Sequence, residues 1–233
     1  MNNDRVIINQ TEVSALNRFY ARVYGFVGLG IGISALVSFL SLTVFQEALL
    51  SVLTSGSGRF LVWGLMILEV FLVFSASRAA VRNSRNALPL FIAYSALNGY
   101  TLSFILAFYS VGTVTNAFLS ATLMFGVMAV VGAVTKRDLS GMARAFYAGL
   151  IGIIIASLIN MFLGSSGLDF IISIVGVLIF AGLIAYDNQR IRYVFEQTGG
   201  HAGQGWVVSL ALELYLDFIN IFLYLLRIFG SRD

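Results

Sequence analysis

The chain has no cysteine, one proline, one lysine and one histidine, and only 11% of its residues are charged. Without cysteine there can be no disulfide, thiol nucleophile or Cys-ligated metal, and the redox compartment stays undetermined. The single lysine, Lys136, sits in the short polar segment Lys136-Arg137-Asp138, so no membrane-buried lysine can carry a Schiff base as in a rhodopsin-like photoreceptor. Residues 196–205 contain four glycines and the lone His201, but no lysine follows in Walker spacing. That stretch reads as a flexible connector, and one histidine is a weak metal signal. Pro89 opens an apolar run, where its missing N–H is tolerated.

What the chain has is apolar residues. They make up 59% of its 233 positions, against about 45–50% apolar and about 25% charged for a soluble domain. No soluble core could bury that share. The pattern predicts an all-α integral membrane protein of seven transmembrane helices: a polar tail, 1–22, then a domain over 23–230 with spans at about 23–45, 59–78, 87–109, 113–135, 142–163, 169–187 and 206–229. The tail lacks the apolar region of a cleavable signal, so the first span is expected to stay as an anchor. Gly28 and Gly32 in that span have small-xxx-small spacing, which reads as helix packing. Residues 46–58 read as a Ser/Gly-containing loop, 164–167 as a tight turn, and Asp138 or Ser140 as the cap of the fifth span.

The net charge of +3 looks basic, but the bases stand at the ends of apolar runs, where they orient helices, which argues against a nucleic-acid partner. With the N-terminus inside, eleven of the fourteen bases fall in inner segments: Arg5, Arg18, Arg22, Arg78, Arg82, Arg85, Lys136, Arg137, Arg144, Arg190 and Arg192. Arg59, Arg227 and Arg232 fall outside. The positive-inside rule therefore predicts N-in/C-out.

Against this background the polar residues inside the spans stand out. In the last span Glu213, Asp217, Asn220, Tyr224 and Arg227 follow one another at four, three, four and three, which places them on one helix face. A carboxylate near the bilayer centre costs roughly 2.5–3.5 kcal/mol on insertion scales, so Asp217 should face protein or trapped water. Glu69 lies near the centre of span two, and Tyr94, Asn98 and Thr101 share a face of span three that reads chiefly as interhelical glue. Glu69, Glu213, Asn220, Tyr224 and Asn98 are the candidates for lining a pathway.

Asp187, late in span six, and Asp217, in span seven, suggest a coupled pair. At close approach both cannot readily ionise, so they would share a proton and titrate as a unit. Ionised, the same oxygens would suit a transient Ca²⁺ ion. The bland alternative is an acid neutralised by Arg78 or Arg190 as structural glue. Counted from the inner interface, the two acids differ in depth by about 12 Å, unless the helices tilt or span six continues past Arg192.

The segments Ser95-Ala96-Leu97-Asn98-Gly99-Tyr100-Thr101-Leu102-Ser103, Thr135-Lys136-Arg137-Asp138-Leu139-Ser140-Gly141, Ala185-Tyr186-Asp187 and Leu214-Tyr215-Leu216-Asp217-Phe218-Ile219-Asn220, the last continuing to Leu225-Leu226-Arg227-Ile228-Phe229-Gly230, resemble the transmembrane Bax-inhibitor-motif family over about 21–232. The resemblance implies six helices around a central seventh and a pH-sensitive Ca²⁺ leak, with Asp187 and Asp217 as the pH-sensing pair. It also implies a basic residue of the second helix beside them. Alignment on Ile67-Leu68-Glu69-Val70 places Ala80 or Val81 near that position, with Arg78 the preferred base and Arg82 the alternative. No cofactor is implied; Ca²⁺ is the permeant ion and the bilayer the medium. The short tail and the absence of an ER-retention ending resemble a member from the bacterial cytoplasmic membrane.

Readings of other classes use the same residues. A non-conducting regulator of other membrane proteins, such as a quality-control protease, is compatible with the sequence, and a proton-coupled cation antiporter would use the same acids. An intramembrane aspartyl protease would need a Gly-x-Gly-Asp segment, but Tyr215-Leu216 precede Asp217 and no Pro-Ala-Leu is present, so the chain is not expected to be an enzyme. The topology is tested by placing cysteines at Asn3 and Asp233 of this cysteine-free chain. An impermeant thiol reagent added to intact cells should label the second and spare the first, and the reverse pattern rejects N-in/C-out.

Overall fold

In the computed structural model, residues 2–56 and 58–230 are described, with side chains described for 12–56, 58 and 60–230. The side chains of Asn3, Arg5 and Arg59, and residues Arg232 and Asp233, lie outside the described residues. The described residues form eight helices and no strand: α1 (Asn2–Thr43), α2 (Gln46–Thr54), α3 (Gly58–Val81), α4 (Ala87–Leu106), α5 (Val111–Val134), α6 (Ser140–Leu163), α7 (Ser166–Gln197) and α8 (Gln204–Gly230). Seven are long and apolar enough to cross a membrane, all but α2. The chain is an all-α integral membrane protein.

The helix ends differ from the sequence reading in three places. Residues 2–22, read as a tail, are the N-terminal part of α1. The expected loop over 46–58 contains α2, a short helix with Leu49 buried. Span six was expected to stop near Asp187, but α7 runs on to Gln197 because its amphipathic end, Asn188 to Gln197, keeps its apolar Ile191, Val194 and Phe195 buried. Gly164 ends α6 in the left-handed conformation at φ 62°, a role that glycine fills without strain.

Two compact units can be distinguished: Met1–Phe108 with Tyr193–Leu212, and Tyr109–Arg192 with Glu213–Asp233. In the first, Ser34, Ser38 and Ser41 stand on one face of α1 and are almost fully buried. The Ser34 hydroxyl donates to the Ser95 carbonyl of α4 at 2.7 Å, and the Ser38 hydroxyl donates to the Gly99 carbonyl at 2.6 Å. A Cβ on Gly99 would stand 2.5 Å from the Ser34 carbonyl oxygen, so α1 and α4 touch backbone to backbone there. Gly28 and Gly32, expected to supply such a contact, have nothing within 4 Å of a built Cβ. The α3–α4 turn carries Asn83 at φ 50°, and its side-chain oxygen accepts the Gly205 N–H at the start of α8 at 2.8 Å.

The second unit is joined by aromatic rings and by a backbone contact. Phe118 and Phe125 of α5 meet Phe218 edge to face at 5.7 and 5.8 Å. A Cβ on Gly132 would come within 2.0 Å of the Ala185 carbonyl oxygen of α7. At the α5–α6 turn, Asp138 accepts from the Ser140 backbone N–H and hydroxyl, each at 2.9 Å. These bonds hold its carboxyl below the usual carboxylate range. The Gln189 amide of α7 ties the same turn down: it donates to the carbonyls of Thr135 at 3.2 Å and Arg137 at 2.7 Å, and accepts the Leu139 N–H at 2.9 Å.

Two outcomes are expected. Gly132→Ala should destabilise the detergent-purified protein by about 1–3 kcal/mol through overpacking. On the same helix, Gly126→Ala meets nothing within 4 Å and should be neutral or gain about 0.5–1 kcal/mol in thermal unfolding. Gln189→Leu should raise hydrogen exchange of the Leu139 amide by about tenfold or more, the equivalent of about 1.4 kcal/mol, because that N–H loses its acceptor.

Candidate functional site

Helices α7 and α8 are joined by residues 198–203 and run antiparallel, so positions on one descend as positions on the other climb. Asp187 lies ten residues before the end of α7 and Asp217 thirteen after the start of α8. At 1.5 Å per residue that is a depth difference of about 4.5 Å, which removes the offset expected from the shorter sixth span. The continuation of α7 past Arg192 is what brings the two acids level.

Asp187 and Asp217 are 3% and 6% exposed, and their carboxyls lie within hydrogen-bonding reach of each other. An ionised carboxylate can only accept, so a hydrogen bond between the two would require a proton on one of them. Asp187 Oδ1 and Asp217 Oδ2 are buried with no hydrogen-bond partner among the described residues. Beside the pair, Arg190 Nη1 donates to Glu213 Oε2 at 2.5 Å, with both side chains 30% exposed. Arg190 follows Asp187 by one turn and Glu213 precedes Asp217 by one turn, so this ion pair lies between the buried acids and the α7–α8 connection. Tyr147 of α6 lies within electrostatic reach of Asp187, Glu213 and Asp217.

The rest of the α8 polar face also turns toward α7. The Tyr224 ring stands 5.9 Å from Phe180 and covers Gly176, whose Cβ would meet it at 2.6 Å. Arg227 lies over the Tyr224 ring at 5.8 Å and pairs with Asp169 at 3.5 Å. Asn220 donates to its own helix at the Leu216 carbonyl, at 2.8 Å. Glu69 and Asn98 form a separate group in the first unit: the Asn98 amide donates to Glu69 Oε1 at 3.3 Å, and Thr101 bonds the same carboxylate.

Arg78 and Arg82, expected as the basic partner, belong to the first unit, where they are exposed at the end of α3 and just beyond it; within the second unit, the guanidinium beside the aspartates is that of Arg190. Gln189, Tyr147 and Asn83 were not singled out from the sequence. Their partners are 50 or more residues away for Gln189 and 122 for Asn83, so no local spacing announces them. Among the described residues no group of three or more His, Asp or Glu is arranged to hold a metal ion.

The chain matches the family described as "Inhibitor of apoptosis-promoting Bax1" over residues 16–233. It is 52% identical over 231 residues to an uncharacterized membrane protein of Streptococcus pyogenes serotype M1, covering 99% of this chain and 100% of that one. An uncharacterized protein of Lactococcus lactis is 46% identical over 230 residues, covering 99% and 97%. One of Borreliella burgdorferi is 41% identical over 224 residues, covering 95% of each. With seven candidate spans and bacterial relatives described as membrane proteins, this is a multi-pass protein of the cell membrane. A match over nearly the whole chain, including both buried aspartates, places the protein in the family of inhibitors of apoptosis-promoting Bax1.

Proposed function

We propose that the protein is a pH-sensitive calcium leak gated by the proton that Asp187 and Asp217 share. The observation that carries this reading is the approach of two buried carboxyls from different helices to within hydrogen-bonding reach, in helices long and apolar enough to cross a bilayer. While the proton is present it holds α7 against α8. When it leaves, two carboxylates face each other in a dry contact. Two unit charges about 4 Å apart interact by roughly 4 kcal/mol at an effective dielectric near 20, which corresponds to a thousandfold shift between two arrangements. The pair then separates or recruits a cation, and a hard divalent ion suits two carboxylates and water.

The pair carries no catalytic role in this reading, since it lacks the glycines and the Pro-Ala-Leu segment of intramembrane aspartyl proteases. The test is Ca²⁺ flux into liposomes containing purified protein, measured across pH with and without an imposed proton gradient. Asp217→Asn keeps the shape and removes the ionisable group, so it should flatten the pH dependence. Asp187→Asn should do the same, and the double variant should add little to either single, because the residues act as a unit. Independent additive effects, or a wild-type pH profile that survives both substitutions, reject the shared-proton gate. Uphill Ca²⁺ movement driven by the proton gradient would make the protein an antiporter. Absence of flux at every pH would favour a non-conducting regulator.

A further inference from the structure

Five arginines of the first unit, Arg18, Arg22, Arg78, Arg82 and Arg85, stand apart from the aspartates, and the fold brings them to one end of that unit. The Ser34–Ser95 and Ser38–Gly99 bonds share a sequence separation of 61, so α1 and α4 run parallel in a single register. By that register Ala87, the first residue of α4, is level with Phe26 of α1. Arg22 therefore stands one helical turn, about 6 Å, beyond the start of α4, and Arg18 one turn further. Arg82 and Arg85, in the turn that leads into α4, occupy the same level, and Arg78 lies one turn back along α3. Because α4 packs against both α1 and α3, these bases sit on neighbouring elements.

The turn that presents Arg82 and Arg85 is firmly held. The Ser84 N–H donates to the Ala79 carbonyl and the Asn83 N–H to the Ala80 carbonyl, each at 2.9 Å, with Asn83 left-handed at φ 50°, a Schellman close of α3. All five arginines are exposed, and none makes an ion pair among the described residues. Glu196, beside the Phe195 ring that meets Phe19 at 5.8 Å, has an interaction of its own. Glu12 lies about 15 Å beyond Arg22 along α1. Bases in a last turn complement the helix dipole, which accounts for Arg78 and Arg82 but not for Arg85, Arg18 or Arg22. The apolar part of α1, Glu12–Thr43, has 32 residues. At 1.5 Å each that exceeds a hydrocarbon core of about 30 Å, so its arginine-bearing end reaches the headgroup layer. Tyr20 and Tyr24, stacked at 6.4 Å around Arg22, are the residue type that collects at that layer.

We propose that this arginine cluster binds an anionic phospholipid, with the guanidiniums of Arg82 and Arg85 on its phosphodiester and Arg18, Arg22 and Arg78 adding charge of the same sign. A guanidinium matches phosphate oxygens two N–H groups at a time and stays charged at every physiological pH. The occupant is a lipid because the cluster lies where the spans end, and headgroups are the anions that surround it there. In the N-in orientation expected from the sequence this is the cytoplasmic end, whose leaflet carries anionic lipid. Lipid binding here does not depend on whether the protein conducts ions, so it stands or falls apart from the leak reading.

The test is native mass spectrometry of the full-length protein in neutral detergent, titrated with phosphatidylglycerol, with phosphatidylcholine of the same acyl chains, or with glycerol phosphate as the free headgroup anion. Each base near an anionic headgroup is worth about fivefold in affinity, so phosphatidylglycerol should bind on the order of a hundredfold more tightly than phosphatidylcholine. Arg78→Gln/Arg82→Gln/Arg85→Gln should lose about a hundredfold and Arg18→Gln/Arg22→Gln about twentyfold. Lys136→Gln/Arg137→Gln removes two bases from the second unit and should stay within about threefold of wild type. Size exclusion checks folding, and if the triple variant aggregates, Arg18→Gln/Arg22→Gln on the other helix carries the test alone. Equal binding of the two lipids, wild-type binding by the arginine variants, or an equal loss in the second-unit control overturns the site. Displacement of phosphatidylglycerol by glycerol phosphate at matching concentration shows a site for free phosphate and overturns the lipid assignment.

Discussion

The close approach of two carboxyls in a dry helix contact is the constraint around which the α7–α8 pair is arranged. One charged carboxylate at the centre of a membrane span costs roughly 2.5–3.5 kcal/mol, and a second beside it adds repulsion. A shared proton, as proposed for this pair, would remove one of the two charges and supply a bond in place of the repulsion. Such a bond needs the acids nearly level, and the run of α7 to Gln197 with a connection as short as residues 198–203 brings them so. Four of the five residues on the polar face of α8 have a partner on α7: Glu213 meets Arg190, Asp217 meets Asp187, Tyr224 meets Phe180, and Arg227 meets Asp169, while Asn220 bonds its own helix. A stripe that would be costly against lipid is spent along the neighbouring helix.

The other buried polar groups follow the same logic by different means. In the first unit the serine hydroxyls of α1 donate to carbonyls of α4, and the absence of a side chain at Gly99 lets the backbones close. In the second, Gly132 does the same against Ala185, two residues before Asp187. That contact fixes the height of α7 against α5 next to the acid it presents. Gln189, two residues after Asp187, fixes it again through the α5–α6 turn. The aspartate is thus bracketed by contacts that belong to the backbone, and a change in its protonation acts against a helix held in place on both sides.

The seven spans were legible in the sequence because length and hydropathy are local properties, and so was the shared face of Glu213 and Asp217, which follows from helical spacing. The end of α7 was not, because the apolar signal stops near Asp187 while the helix continues with only one face buried, through Ile191, Val194 and Phe195. Nor was α2, a nine-residue helix too short for a hydropathy window to separate from a loop. The small-residue pattern at Gly28 and Gly32 was visible and carried no contact, whereas Ser34 and Gly99 carried one. Spacing identifies residues that permit close approach, and only the partner helix decides which are used. Asn83 and Gln189 act on backbone groups far away in sequence, and such clamps leave no periodicity to read.

The placement of the arginines bears on why a proton would be needed at all. A guanidinium bonded directly to Asp187 would neutralise it without any proton, and the pair would be an ordinary buried salt bridge indifferent to pH over the physiological range. Arg190, one turn from Asp187, donates instead to Glu213, and one oxygen of each aspartate is left buried with no hydrogen-bond partner among the described residues. Glu213 thereby does two things: it occupies the nearest cation and adds a further negative charge beside the pair. In this arrangement Arg190 is hydrogen-bonded to Glu213 while it still acts electrostatically on Asp187.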